Sequence, residues 1–560
     1  MTCSAAPPTI CRAGESARGV PPRLRFGFAV ASSLILLLIL RGVLAGESAN
    51  GTREGRVFAV GPRQPLKSLS AVPWSGLGPG DVVRIHWRPE PYREKILIHT
   101  RGTVDRPIRI VGVRGPRGER PVIDGSDAAT IAGQAQAYGS YEPMQALALI
   151  LIYDHDYHRK PAHIVIEGLH LRNARREFSF VDCNGRRTRY ADGAAGIRIQ
   201  AADDVRIIDN EIENCGNGIF TMCQGYNESS LTRDLLIEGN SIHHNGQRDS
   251  YLEHGVYLQA IGVTCQFNRF GPNAVGAQGV SLKDRSAATV IRYNWFDSGA
   301  MRVLDLVEVE DCAPWFLESA YRHYLEAGNL EEGPGPYRLR EVRAVEARYR
   351  KTHVYGNLIR HIGSRTPGSN LIHYGYDNDP AYARGGTLYF YHNTLVLLND
   401  RRDSWRLRLF DVYPQDEAAG TPAKEKVYAL NNIIYVASET PGAEPSYFCW
   451  GRQSGTIVLG VNAVGGEWRT RAALLECYSG PMKPEVRGQK NIISLSRPPV
   501  DFRTLAPRPV AAIANRAEPL PAEIARSHPV LYQYQRHQKR ASRPRATDLG
   551  ALSLPSKQHR

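Results

Sequence analysis

No Cys-x-x-Cys pair occurs in the 560 residues, which argues against a thiolate zinc knuckle or a dithiol redox centre. Cys3 and Cys11 lie in the first stretch of the chain and seven cysteines follow, an odd number, so at least one of the seven stays unpaired in any disulfide scheme. Cys449 and Cys477 are the pair that suggests a bridge. After residue 45 no apolar run approaches the roughly 20 residues needed to cross a bilayer, so no later membrane span is expected. Long amphipathic helical patterns and a leucine-rich consensus are also missing, which removes helical solenoids and leucine-rich repeats.

A broadly basic body is lacking as well. The formal charge is +14, but residues 1–45 carry +4 of it and residues 536–560 carry +6, leaving +4 for residues 46–535. A basic nucleic-acid face is therefore not expected. Residues 536–560 read as a solvated, flexible basic tail. The first 45 residues place Arg12, Arg18, Arg23 and Arg25 before an apolar run from Phe26 to Leu40, with Val43-Leu44-Ala45 as a small-residue cleavage site. That order is a secretory signal, with an uncleaved signal anchor as the alternative; with cleavage the mature chain is expected to be secreted or periplasmic and free of membrane, and a monomer is expected.

What the sequence does contain is a repeat. An apolar residue, two residues, Asn, one residue and an apolar residue recur around Asn210, Asn240, Asn268, Asn294, Asn357, Asn393 and Asn432. The first three steps are 30, 28 and 26 residues; the 63-residue step that follows spans an insertion at 311–350. A period in the twenties, rich in β-branched residues and Gly, predicts an all-β solenoid: a single-stranded parallel β-helix with three short strands per coil and a partly helical insertion. The Asn residues are expected to stack in a ladder, using a left-handed turn and amide hydrogen bonds. Residues 46–125 form the entry or cap, and 126–535 the body.

Five segments align by a leading small residue, at Gly196, Gly218, Gly255, Gly279 and Ala300. Strand alternation then turns Ile197/Ile199, Val256/Leu258, Val280/Leu282 and Met301/Val303 inward. The outward columns run Arg198, Phe220, Tyr257, Ser281, Arg302 and Gln200, Met222, Gln259, Lys283, Leu304. At about 4.8 Å per coil, these distant residues become one polar patch.

Pro79-Gly80-Asp81-Val82-Val83, Asp501-Phe502-Arg503 before Pro507, and Asp548-Leu549-Gly550-Ala551 are typical of pectin-lyase-like right-handed parallel β-helix proteins, which the chain resembles over most of its length. Gly279-Val280-Ser281-Leu282-Lys283-Asp284-Arg285-Ser286, followed by Ile291-Arg292-Tyr293-Asn294, is similar to the catalytic strand of alginate and chondroitin lyases of this fold. The resemblance implies a polysaccharide substrate and β-elimination, with Lys283 as base. The family's Arg position is Leu304 here, and Arg302 lies two residues earlier. The family's calcium-binding acids, five and seven residues before the Lys, are Gln278 and Gly276.

Elimination from a uronate needs its carboxylate neutralised, a base, and a proton returned to the leaving oxygen. Arg302, Arg285 and Arg198 are candidates for the first task. Neighbouring cations are expected to lower the Lys283 pKa. Tyr257 or His254 would return the proton. Phe220, Gln259, His373, Tyr374 and Arg406 are expected to line the substrate groove. The acidic run with Asp305 and Glu308 offers weak ligands for a calcium ion. A glycan-binding protein without a base, or a hydrolase or epimerase of the same fold, are the alternatives.

Overall fold

A computed structural model describes residues 54–555, apart from 139–141, 156–158, 224–227, 300–301, 331–335, 364–367, 404, 445, 468–481 and 536–538. The signal segment therefore lies outside the described residues. No described helix is long and apolar enough to cross a membrane.

One coil displays how the repeat folds. Asp203–Ile208, Glu211–Glu213 and Asn217–Thr221 are three strands in succession, and Arg233–Glu238 then lies parallel on Asp203–Ile208, one rung on. Val205 faces Leu235, Ile212 faces Ile242 and Ile219 faces Val256 across adjacent rungs. Repetition yields sheets of 13, 13 and 11 strands among the described residues, parallel except where Arg187–Arg189 runs antiparallel to Ser179–Val181. The inward alternate positions fuse into one apolar column from Val60 to Val464. Each coil buries its apolar side only against its neighbours, so the stack grows without a globular core.

The Asn ladder forms and reaches one rung beyond the repeat, to Asn462. Each rung has the same wiring. Asn294 Oδ1 accepts from the backbone N–H and the Nδ2 of Asn268, at 3.0 Å each. Its Nδ2 donates to Cys265 O at 2.9 Å and to Asn357 Oδ1 at 3.0 Å. The left-handed backbone belongs to the residue before the Asn: φ is 52° at Asp209, 56° at Phe267, 55° at Tyr293 and 51° at His392. The Asn supplies the amide, and its predecessor turns the corner. Asn294 is fully buried. Asn294→Ala orphans Asn268 donors and is expected to cost about 3 kcal/mol, read as a lower urea midpoint at unchanged slope.

The two ends and the insertion complete the stack. Within the entry region 46–125, Val57–Val60, Val82–His86 and Ile108–Val113 are the first three rungs of the first sheet, so this region opens the stack. The basic tail is not a free segment over 539–554. Lys539–Ser542 pairs with Tyr532–Gln535, Arg540 reaches Glu238 at 2.6 Å, and Leu549, Ala551 and Leu554 are buried with Ile433 and Val396. Apolar side chains on the outer face of the third sheet need a cover, and residues 500–554 provide it. The insertion forms helices at Glu318–Glu326 and Pro336–Tyr349, and a Cys223–Cys312 disulfide ties its start to the second sheet. Cys449 is disulfide-bonded, and the Cys477 expected opposite it lies outside the described residues.

Candidate active site

The outer face of the second sheet carries one column: Arg198, Phe220, Tyr257, Lys283, Asp305, His373, Asp411 and Arg452 on successive rungs. The sequence alignment was two residues out at Lys283. Gly255 lies over Ser281, so Tyr257 pairs with Lys283, and Gln259 does not. Gly279 stands before the strand because a Cβ there would run into the Glu253 carbonyl. A slip of two keeps side-chain parity, so Lys283 still points outward. On the next rung parity does change: Leu304 pairs with Leu282 and faces the core, and Asp305 takes the outward position beside Lys283.

Tyr257, Lys283, Arg285, Arg302 and His254 converge on a cleft of about 370 Å³, with Asp305, Glu310, Asp377 and Asn378. Lys283 Nζ sits 3.0 Å from Asp305 Oδ2 and also contacts Asp377 Oδ2. Arg285 pairs with Glu308 (3.2 Å), Glu310 (2.8 Å) and Asp377 (2.8 Å). Arg302 lies 3.5 Å from both Asp305 and Asp411, and donates to Tyr413 Oη at 2.8 Å. Three cations thus face five carboxylates.

This overturns the expected electrostatics. Although burial and Arg285 push the Lys283 pKa down, Asp305 and Asp377 outweigh them and it ends above the usual lysine value. At neutral pH Lys283 is an ammonium and not a ready base. Burial also opposes ionisation of Asp305 and Asp377, but Lys283 with His373 and Arg302, or with Arg285, holds both below the usual carboxylate value. Tyr257 is pushed up to about 12, chiefly by burial; its hydroxyl accepts from Arg285 at 2.9 Å and donates to Glu310 at 3.2 Å. Among the described residues, both arginines that line the cleft, Arg285 and Arg302, are already paired with carboxylates.

The remaining candidates divide. His373 is buried, with Nδ1 2.7 Å from Asp305, and so orients that carboxylate from behind. Gln259 is buried under the insertion, donating to Cys312 Sγ and accepting from the Glu310 N–H, which makes it a support for Glu310. Arg198 is buried over the Phe220 ring, 4.3 Å away and three rungs from Lys283, and neither residue lines the cleft. Tyr374 points into the core, since it follows the outward His373, and is withdrawn from the groove. Arg406 is exposed at the start of its strand, away from the cleft lining.

The acidic run does not fit a calcium cage. Glu308 accepts the backbone N–H groups of Asp377, Asn378 and Asp379 at 2.8–3.0 Å, and Asp305 is shared by Lys283, Arg302 and His373. Protein donors already occupy these oxygens. Glu308 instead sets the loop that brings Asp377 to Lys283. Behind the site, Arg384 is fully buried and binds Asp284, Ser286 and Val307. Its place 100 residues from Asp284 gives no pattern in the sequence.

His254 Nδ1 accepts the Val280 N–H at 3.1 Å, so its proton sits on Nε2. Burial first, then Lys283, lowers its pKa to about 3. The folded state excludes a proton that the unfolded chain takes up below about 6.5. The stability is present above that value and drains as pH falls toward the folded value. Between pH 7 and 5 the loss from this group is about 2 kcal/mol. His254→Asn is expected to shrink the pH 7-to-5 difference in urea stability by that amount, whereas an unchanged difference would mean that His254 does not titrate in this way.

A family model described as right handed beta helix region matches residues 162–308, in agreement with the strand ladders, and the chain is a right-handed parallel β-helix. No curated protein matches it in sequence. Among solved structures, pectate lyase Pel9A is similar at 10% identity and a TM-score of 0.36, over 90% of this chain and 97% of that one. A GH136 lacto-N-biosidase from Eubacterium ramulus is similar at 13% identity and 0.28, over 80% and 68%. A DFA-IIIase mutant from Arthrobacter chlorophenolicus A6, in complex with DFA-III, gives 13% and 0.28, over 75% and 89%.

Proposed function

We propose that the chain is an exported glycan-cleaving enzyme whose working groups are the carboxylates around Lys283. The observation that carries this reading is the Asp305–Lys283–Asp377 cluster in the cleft. Contacts of 3.0 and 2.5 Å to one Nζ keep the two carboxylate oxygens within about 5.5 Å of each other. Paired carboxylates are the working groups of glycosidic hydrolysis. Both are held ionised, so Asp377, the more accessible of the two, serves as base or nucleophile. Lys283, held as an ammonium, gives its proton to the leaving glycosidic oxygen as Asp377 takes one from the attacking water or attacks the sugar carbon itself, and Asp305 keeps Lys283 in place. Tyr251 and Leu252 line the same cleft and are exposed, offering a surface for a sugar ring to lie on. The excess of carboxylates suits a neutral or amino sugar better than a polyuronate.

Export is supported by the leader and by the Cys223–Cys312 disulfide, which suits an oxidising compartment. N-terminal sequencing of the mature protein is expected to begin near Gly46.

A second reading, β-elimination on a uronate glycan, is favoured by the meeting of Lys283, Tyr257 and Arg302 on one cleft. It requires Lys283 to lose its proton. Incubation with neutral, amino and uronate polysaccharides separates the two. New reducing ends without the ultraviolet absorbance of an unsaturated sugar support hydrolysis; unsaturated ends support elimination. Absence of both on every polymer would leave a binder.

A further inference from the structure

The third sheet carries a separate set of ligating side chains on its outer face. On adjacent rungs, Glu213 lies over His243 and under Arg172. His243 and His244 are consecutive, yet their Nδ1 atoms lie 2.8 Å apart. The His244 backbone is left-handed, with φ 53°, and this turns its side chain back alongside His243. Glu213 Oε2 lies 3.6 Å from His243 Nδ1. One donor atom from each of Glu213, His243 and His244 falls within 4.8 Å of the others.

Two carboxylate contacts fix the direction of these donors. His243 Nε2 lies 3.3 Å from Glu211 Oε1, so the ring's proton is placed there and the Nδ1 lone pair is left facing His244 and Glu213. The other oxygen of Glu213 is held by His170 Nε2 at 2.9 Å. Carboxylate-oriented imidazole is the arrangement that prepares histidine for a metal. At 2.8 Å the two Nδ1 atoms are close enough to share either a proton, carried by His244 in one tautomer, or a cation bound by both. His244 and Glu213 also line a cleft of about 580 Å³ with Arg172, Arg175 and Arg248.

We infer that Glu213, His243 and His244 form a binding site for a zinc-class divalent ion, with a fourth coordination position open to the Arg-lined cleft. Two imidazoles and one carboxylate suit zinc, whereas calcium prefers an all-oxygen set. The site lies on the third sheet, whereas Lys283 and its carboxylates lie on the second. It therefore stands or falls independently of the proposed glycan chemistry.

The test is titration of the untagged, chelator-treated full protein with zinc chloride, read by calorimetry and by competition with a chromogenic chelator. One equivalent is expected to bind in the wild type. His243→Ala and His244→Ala are each expected to lose at least about tenfold in affinity, and Glu211→Gln about 10- to 100-fold. All three positions lie on the outer face, so the metal-free variants should keep the wild-type unfolding midpoint, which checks that the loss is local. Failure of the wild type to take up zinc, or uptake unchanged in both histidine variants, overturns the proposal. Equal affinity for calcium at the same site would overturn the assignment of the metal class.

Discussion

Asp377→Asn is expected to lower the turnover of the cleaved glycan by about a thousandfold, the scale of a lost general base or nucleophile. The substitution removes a charge and little volume. Lys283 keeps Asp305, and Arg285 keeps Glu308 and Glu310, so no cation is stranded in a dry site. The unfolding midpoint should therefore move by only a few degrees, and KM should change far less than kcat. Asp305 would be a poorer choice. It is shared by Lys283, Arg302 and His373, and its loss would unbalance three groups at once. If Asp377→Asn keeps a tenth or more of the wild-type rate, the carboxylate assignment fails.

Arg384→Met is expected to destabilise the fold by about 4 kcal/mol, the cost of stranding a buried charge. Arg384 donates to Asp284 Oδ2 at 2.9 Å and to the carbonyls of Val307, Asp284 and Ser286 at 2.9–3.0 Å. Asp284 is fully buried, and burial already pushes its pKa up against the pull of Arg384. Without the guanidinium, Asp284 must take a proton or the strand must open. Lys283 and Arg285 flank Asp284 in the chain, so activity should fall with stability. Adding Asp284→Asn to Arg384→Met should recover part of the loss, because the uncompensated charge is gone. A urea titration of the single and double variants measures both effects, and a single variant as stable as the wild type would contradict the account.

Much of the fold was legible because its signals are local. Asn210 to Asn432 mark one corner of each coil, and Ile207, Ile237, Cys265 and Ile291 mark the strand before it. Parity also survived a misplaced register, which is why Lys283 and Tyr257 were placed correctly on the outer face. The error arose at Gly279. That residue makes room for the Glu253 carbonyl and does not begin a strand, a long-range reason that spacing does not carry. The electrostatics of the site were less legible for the same reason. Lys283 meets Asp377 across 94 residues, through a loop whose shape depends on Glu308. A chain position that offers Arg302 and Arg285 reads as cationic until Glu310, Asp377 and Asp411 arrive from other coils. The tail misled because its seven basic residues hide the few that anchor it, Leu549, Ala551 and Leu554.

The most direct measurement is the pH dependence of glycan cleavage by the wild-type protein between about pH 4 and 10. With Lys283 fixed as an ammonium and Asp377 as the working carboxylate, kcat/KM should fall only on the acid side and gain nothing as pH rises beyond neutrality. A rate that climbs steadily from pH 7 toward 10, accompanied by unsaturated ends, would contradict this account and return Lys283 to the role of base.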